Sequence, residues 1–124
     1  MKILAPLRHS DEVAELAAAG AHEFYCGLTP PGWEERFGAT WVHRRSPKSS
    51  VPNLADLRRI VALAQGRPVY VTLNSPSYPA GGVAWLLDFG RMLLDEIGIA
   101  ALIVAEWDLL LALCEEGLAP HVHV

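Results

Sequence analysis

At 124 residues and 13.5 kDa the chain is a single domain at the small end of the usual range. Hydrophobic residues make up 52% and charged residues 19%, with a mean hydropathy of +0.23, which excludes a disordered tail and provides for a real core. The net charge is −4, unevenly placed: residues 1–62 hold eight Lys/Arg against seven Asp/Glu, and residues 63–124 two against seven, so a polyanion would have to meet the N-terminal half.

No transmembrane segment is expected, because the longest uncharged apolar stretch, Ile99 to Ala105, is far too short to span a bilayer. The opening Met-Lys-Ile-Leu-Ala-Pro lacks the apolar region of a secretory signal. Two cysteines, Cys26 and Cys114, cannot make a disulfide framework or a four-ligand metal site, and a reducing, cytoplasmic setting is the expectation.

Short β-like runs alternate with helical patterns along the whole chain. Ile3 to Ala5 predicts a brief strand stopped by Pro6. Ser10 is placed to cap a helix whose first turn carries Asp11 and Glu12, whose buried stripe is Val13, Leu16 and Ala17, and which ends at Gly20. Glu23 to Cys26 reads as the next strand, closed by Gly27. After Pro52 a second helix starts near Asn53 or Leu54, with Leu54, Leu57, Val61 and Ala64 at helical spacing and Gly66 and Pro68 as its stop. Val69 to Leu73 is rich in β-branched and aromatic residues and predicts a strand. Leu86, Leu87, Gly90, Leu93, Leu94 and Ile97 share one face of a third helix ended by Gly98. Ala100 to Ala105 is a continuous apolar run, as expected of a strand covered on both faces. Trp107, Leu110, Leu111 and Cys114 mark a fourth helix ending at Gly117, and His121 to Val124 predicts a fifth strand.

This alternation argues a parallel α/β sheet with right-handed crossovers over one domain, residues 1–124. Two architectures fit: a doubly wound flavodoxin-like sheet, or a (βα)4β unit forming the first half of a (βα)8 barrel. Both place their sites at the carboxyl ends of the strands, and polar residues collect there: Arg8 and His9, then Cys26, then Asn74 and Ser75, then Glu106. His121 and His123 project to the same side of the last strand.

The lid-like loop at 28–53 is far longer than the usual βα connection of about 2–6 residues. In it Arg44, Arg45 and Lys48 stand beside Trp41, a set suited to gripping a phosphate or carboxylate and stacking a ring, or else to simple solvation. The His-Val-His spacing of residues 121–123 presents two imidazoles to one centre, but a site needs a third ligand such as Glu106 or His9, and no metal is assigned. Asp88-Phe89-Gly90 spells a kinase tripeptide inside an amphipathic helix, Gly81-Gly82 lacks the Lys and Ser/Thr of a phosphate loop, and there is no serine nucleophile elbow. Cys26 reads either as a nucleophile with His9 or His43 as its base or as a small buried apolar residue, and the second reading is preferred.

Taken in order, Ile3-Leu4-Ala5-Pro6, the small-residue helix ending Ala18-Ala19-Gly20-Ala21, Phe24-Tyr25-Cys26-Gly27, Val69-Tyr70-Val71-Thr72-Leu73-Asn74 and Ala101-Leu102-Ile103-Val104 resemble the N-terminal half of the collagenase-like U-32 peptidase family, with the strand at His121 fitting the family's next one. The chain departs at Leu7, where the family commonly has glycine, and in the Trp- and Arg-containing loop after Gly27. The resemblance implies a half of a TIM-like barrel with a substrate pocket at the strand ends, used for peptide hydrolysis or for modification of RNA or small molecules. It implies that Asn74, Glu106 and His121 position or protonate substrate and that Tyr25 lines the pocket; with it go Trp41, Arg44, Arg45 and His123 as substrate-binding residues. Some relatives carry an iron–sulfur cluster on cysteines of the C-terminal half; Cys26 and Cys114 are not those ligands, and no cofactor is expected in this chain. A half barrel leaves two strand edges unpaired, so a homodimer or a longer chain is expected. Whether the chain is itself an enzyme stays open. The competing readings are a non-catalytic module binding RNA or a protein through residues 28–52, and a flavodoxin-like ligand-binding domain.

Overall fold

The computed structural model describes all 124 residues. Five parallel strands, β1 (Leu4–Pro6), β2 (Glu23–Gly27), β3 (Val69–Leu73), β4 (Ala101–Val104) and β5 (Val122–His123), lie side by side in chain order. The helices between them are α1 (Val13–Ala18), α2 (Trp33–Phe37), α3 (Leu54–Leu63), α4 (Gly82–Met92) and α5 (Trp107–Glu115). A flavodoxin-like sheet reverses its strand order and so carries helices on both faces. Strictly sequential order with right-handed crossovers instead puts every helix on one face, as in half of a (βα)8 barrel. The doubly wound alternative is thereby excluded. No helix is long and apolar enough to cross a membrane.

Strand side chains divide accordingly. Ala5, Phe24, Cys26, Val69, Val71, Leu73, Leu102 and Val104 face the helices and are buried. Leu4, Tyr25, Tyr70, Ile103 and His123 face the other way and are not fully covered, whereas Thr72 and Ala101 on the same face are buried. Registration is fixed by the pairs Tyr25↔Tyr70, Tyr70↔Ala101 and Ile103↔His123. On this open face the Tyr70 hydroxyl donates to Glu23 Oε1 at 2.8 Å, and the His123 ring lies 5.0 Å from the Tyr70 ring. Burial together with the Glu23 carboxylate raises the Tyr70 pKa.

Close backbone approach explains one glycine of the core. A Cβ on Gly90 of α4 would stand 2.7 Å from Leu102 Cδ1, so the helix can lie on β4 only without a side chain there. Beyond α4 the chain continues as a π turn over Leu93–Ile97 before Gly98, at φ +86°, ends it.

Three expectations change. Ser10 does not cap α1; His9 is the cap of the short 3-10 turn Ser10–Glu12, its Nδ1 accepting from the Asp11 amide at 3.1 Å while Glu12 Oε1 accepts from the His9 amide at 3.0 Å. Ser10 is buried instead against Asp56, donating to it from its amide at 3.0 Å and its hydroxyl at 2.6 Å. The buried stripe of α5 is Leu109 and Leu113, whereas Trp107, Leu111 and Cys114 are exposed. The last strand starts one residue late, because Ala119–His121 forms a 3-10 turn.

Asp56 thus joins the loop after β1 to the first turn of α3, where Asn53 Oδ1 caps its own amide at 2.8 Å. Truncating it strands the Ser10 donors away from water. Asp56→Ala is expected to lower the unfolding free energy by about 2–3 kcal/mol, from the cost of lost hydrogen bonds to a charged group, read as the urea midpoint at constant m-value.

Candidate functional site at the carboxyl end of the sheet

The segment 28–53 is a packed excursion containing α2 and a 3-10 turn at Pro47–Ser49. It is pinned at five places. Trp33 is buried, its Nε1 donating to Thr40 Oγ1 at 2.9 Å, and its ring packs at a tilt against Phe37 and edge-on to Tyr78. The Val51 amide donates to the Gly27 carbonyl at 2.8 Å, and the Ser75 amide to the Val42 carbonyl at 3.2 Å. The Arg44 amide donates to Asn74 Oδ1 at 3.1 Å. Finally, the Tyr78 hydroxyl, whose pKa burial raises, lies 2.7 Å from the Leu73 carbonyl and 2.9 Å from that of Val42, sharing one proton between strand end and loop.

Within this segment is a cavity of about 390 Å³, lined entirely by residues between Leu28 and Pro52 and towards the lower end of small-ligand sites. Its lining includes Trp41, His43, Arg45 and Ser50, with Glu34 as its one carboxylate. Trp41 is exposed at the rim. The Arg45 guanidinium lies 5.4 Å from the Tyr25 ring centroid while its Nε donates to the Ser49 carbonyl at 2.9 Å. Arg45 thereby links the cavity to the open face of the sheet.

His43 is buried flat against the backbone of β2; a Cβ on Gly27 would come within 2.8 Å of its ring. Its Nδ1 accepts from the Arg45 amide at 3.1 Å, which leaves the ring proton on Nε2, 3.2 Å from Ser50 Oγ. Ser50 donates in turn to the Ser46 carbonyl at 3.0 Å. The direction of this pair matters, since an activated serine needs the imidazole as acceptor. Here the imidazole donates, so Ser50 is held and not activated. Burial lowers the His43 pKa, and the Arg45 charge lowers it further.

Cys26 is likewise no nucleophile. Its thiol points into the helix-covered side, 3.8 Å from the Tyr70 carbonyl, and burial pushes its pKa up to about 12.

The other sequence-derived candidates are only partly gathered. The Arg45 side chain reaches Tyr25, which is mid-strand and paired with Tyr70, while the Arg44 amide bonds Asn74 at the carboxyl end and Trp41 lines the cavity with Arg45. Glu106 is also at this end, close enough for its charge to help raise the Tyr78 pKa, but one carboxylate oxygen caps α5 by accepting from the Leu109 amide at 2.7 Å. His121 is elsewhere: its Nδ1 is 3.4 Å from the carbonyl of Ala100, just before β4 begins. From the Ile103↔His123 register it lies four residues below the level of Asn74, about 13 Å along the strands. The set Asn74, Glu106 and His121 therefore does not converge. His123 stands on the open face against Tyr70. No three His, Cys, Asp or Glu side chains come together with metal-ligand spacing, so the two histidines gain no third ligand from Glu106 or His9. Sequence reading missed Tyr78 and Ser50; the signal for Tyr78 was an aromatic between Ser77 and Pro79 directly after a strand.

No protein-family model matches the chain, and no curated protein matches it. Among solved structures it is similar to the U32 peptidase Mk0906, with a TM-score of 0.59 and 17% identity. The similarity covers 94% of this chain and 45% of that one, so the chain spans about half the length of that structure. At this identity the likeness is one of fold.

Two outcomes follow from the buried groups. Iodoacetamide at neutral pH should carboxymethylate exposed Cys114 in the native protein and leave Cys26 unmodified until denaturant is added, as peptide mass mapping would read. Because the folded His43 pKa lies below its unfolded value, the unfolded chain binds the extra proton first. The stability contributed by neutral His43 is then complete above about pH 6.5 and is lost as pH falls through the folded value. In His43→Gln the decline in urea midpoint between neutral and mildly acid pH should become shallower.

Proposed function

We propose that the chain is the substrate-binding wall of a U32 peptidase-like half barrel, holding a peptide at the carboxyl end of its sheet within the segment 28–53. The observation that carries this reading is Arg45: a half-buried arginine that lines the cavity and lies over the ring of the strand residue Tyr25, while its neighbour Arg44 bonds through its amide to the strand-end Asn74. Peptide is a polymer of amide donors and acceptors, and the groups here suit it. Asn74 spends its oxygen on Arg44 and keeps its amide donors free, and Glu106 keeps one carboxylate oxygen beyond its cap. Trp41 offers an exposed ring face at the rim.

In this reading Asn74 and Glu106 orient the substrate, and His121, at the amino end of β5, does not touch it. The chain binds without cleaving, because the Ser50–His43 pair is oriented the wrong way for nucleophilic attack and the Cys26 thiol is buried and protonated. The open face of the sheet is completed by a second half barrel, which supplies the other wall of the site.

The test is amide shift mapping of the labelled chain with N-acetyl-Ala-Phe-Leu. Saturable shifts are expected at residues 28–53 and Asn74 and not at Ala119–His121, with a Kd on the order of 0.1–1 mM for a single wall, equivalent to roughly 4–5.5 kcal/mol. The peptide should be recovered intact by mass spectrometry. Absence of saturable shifts, or shifts confined to the amino end of the sheet, would overturn the reading.

A further inference from the structure

We propose that Arg45 is a reader of a terminal carboxylate, so that the cavity takes the C-terminal end of a peptide and not an internal stretch; this rests on the reading that peptide binds within residues 28–53. The guanidinium is fixed before any ligand arrives. Its Nε is used by the Ser49 carbonyl at 2.9 Å and its Cζ lies over the Tyr25 ring, 5.4 Å from the centroid. Its two terminal nitrogens have no acceptor in the protein, and none of the ion pairs of the molecule includes it. A half-buried arginine anchored at Nε and open at its terminal nitrogens presents the fork that carboxylate oxygens match. The side chain loses little freedom on binding because it is already ordered.

Charge selects the ligand further. Within the cavity Arg45 is the one cation, His43 is buried and donates its single proton to Ser50, and Glu34 adds a negative charge. One guanidinium opposed by one carboxylate suits a monoanion better than a phosphate dianion. The accessible apolar lining is Ala39, Trp41, Pro47 and Pro52, which fits an apolar final residue. Arg44 and Lys48 are exposed and lie outside this enclosed fork.

The experiment compares N-acetyl-Ala-Phe-Leu carrying a free carboxylate with the same peptide as its C-terminal amide, on the unmodified chain. The free acid should bind about tenfold tighter, the expected effect of one charge-assisted pair. It should also shift the Arg45 Nε–Hε resonance, which the amide should leave in place. Arg45→Gln should bring the acid down to the affinity of the amide, and Arg45→Lys, which keeps the charge without the fork, should recover only part of the difference. Equal binding of acid and amide would overturn the role of Arg45 and leave peptide binding intact. Binding of neither would overturn both readings. Displacement of the acid by inorganic phosphate at lower concentration than the acid itself would overturn the carboxylate assignment in favour of a phosphate site.

Discussion

Right-handed crossovers between parallel strands laid down in chain order force all the helices to one side, and almost everything else about this molecule descends from that. One face of the sheet becomes a conventional core of Phe24, Val71, Leu73, Leu102 and Val104 under the helices. The opposite face is left without a layer, and its residues are amphipathic: Tyr25, Tyr70 and His123 are rings with a polar atom, able to meet water on one side and each other on the other. A doubly wound sheet of the same composition would have hidden these positions under helices.

The same layout explains how a two-dozen-residue excursion is held in place. The crossover from β2 to β3 has to leave the carboxyl end of the sheet and return at the amino end, and the segment 28–53 uses that departure to fold across the strand ends. Tryptophan and tyrosine replace regular structure as its fasteners. Trp33 fills the space beneath it, and Tyr78 reaches back from the following strand's loop to the carbonyls of Val42 and Leu73. Gly27 matters for lack of a side chain, since the His43 ring occupies the place of its Cβ. Once His43 is seated, its bonds to the Arg45 amide and Ser50 set the course of the loop, and Arg45 emerges over Tyr25 with its outer nitrogens free. Local polar groups that look like chemistry are thus mostly spent on construction. The terminal nitrogens of Arg45, the amide nitrogen of Asn74 and one oxygen of Glu106 have no partner within the protein.

Some of this was legible beforehand. Val69–Leu73 is a strand with the bounds its β-branched run suggests, Asn53 caps α3, and Gly98 ends the α4 region in a left-handed turn. Where the reading failed, the reason is physical. In α5 nearly every residue from Leu109 to Cys114 is apolar, so periodicity names no face, and contact with the sheet and α4 selects Leu109 and Leu113. Ser10 has the chemistry of a cap but lies within reach of a buried carboxylate 46 residues away, and that stronger acceptor takes it. The grouping of His121 with Asn74 and Glu106 comes from the family resemblance, and the structure puts His121 just before β5, at the amino end of the sheet.

What the amino-acid sequence determined by itself was therefore the local and periodic content: parallel strands alternating with helices, the long interruption after Gly27, and the collection of polar residues at strand ends. These follow from short-range sterics and from which side chains water rejects. Only the tertiary structure decided the strand order, which eliminates the doubly wound sheet, and the register of each strand against its neighbour. It alone also set the proton on His43 Nε2, because that depends on a backbone amide delivered by a loop. Each of these rests on groups brought together across the fold, where a few ångströms of placement settle whether a residue is a fastener or free to bind.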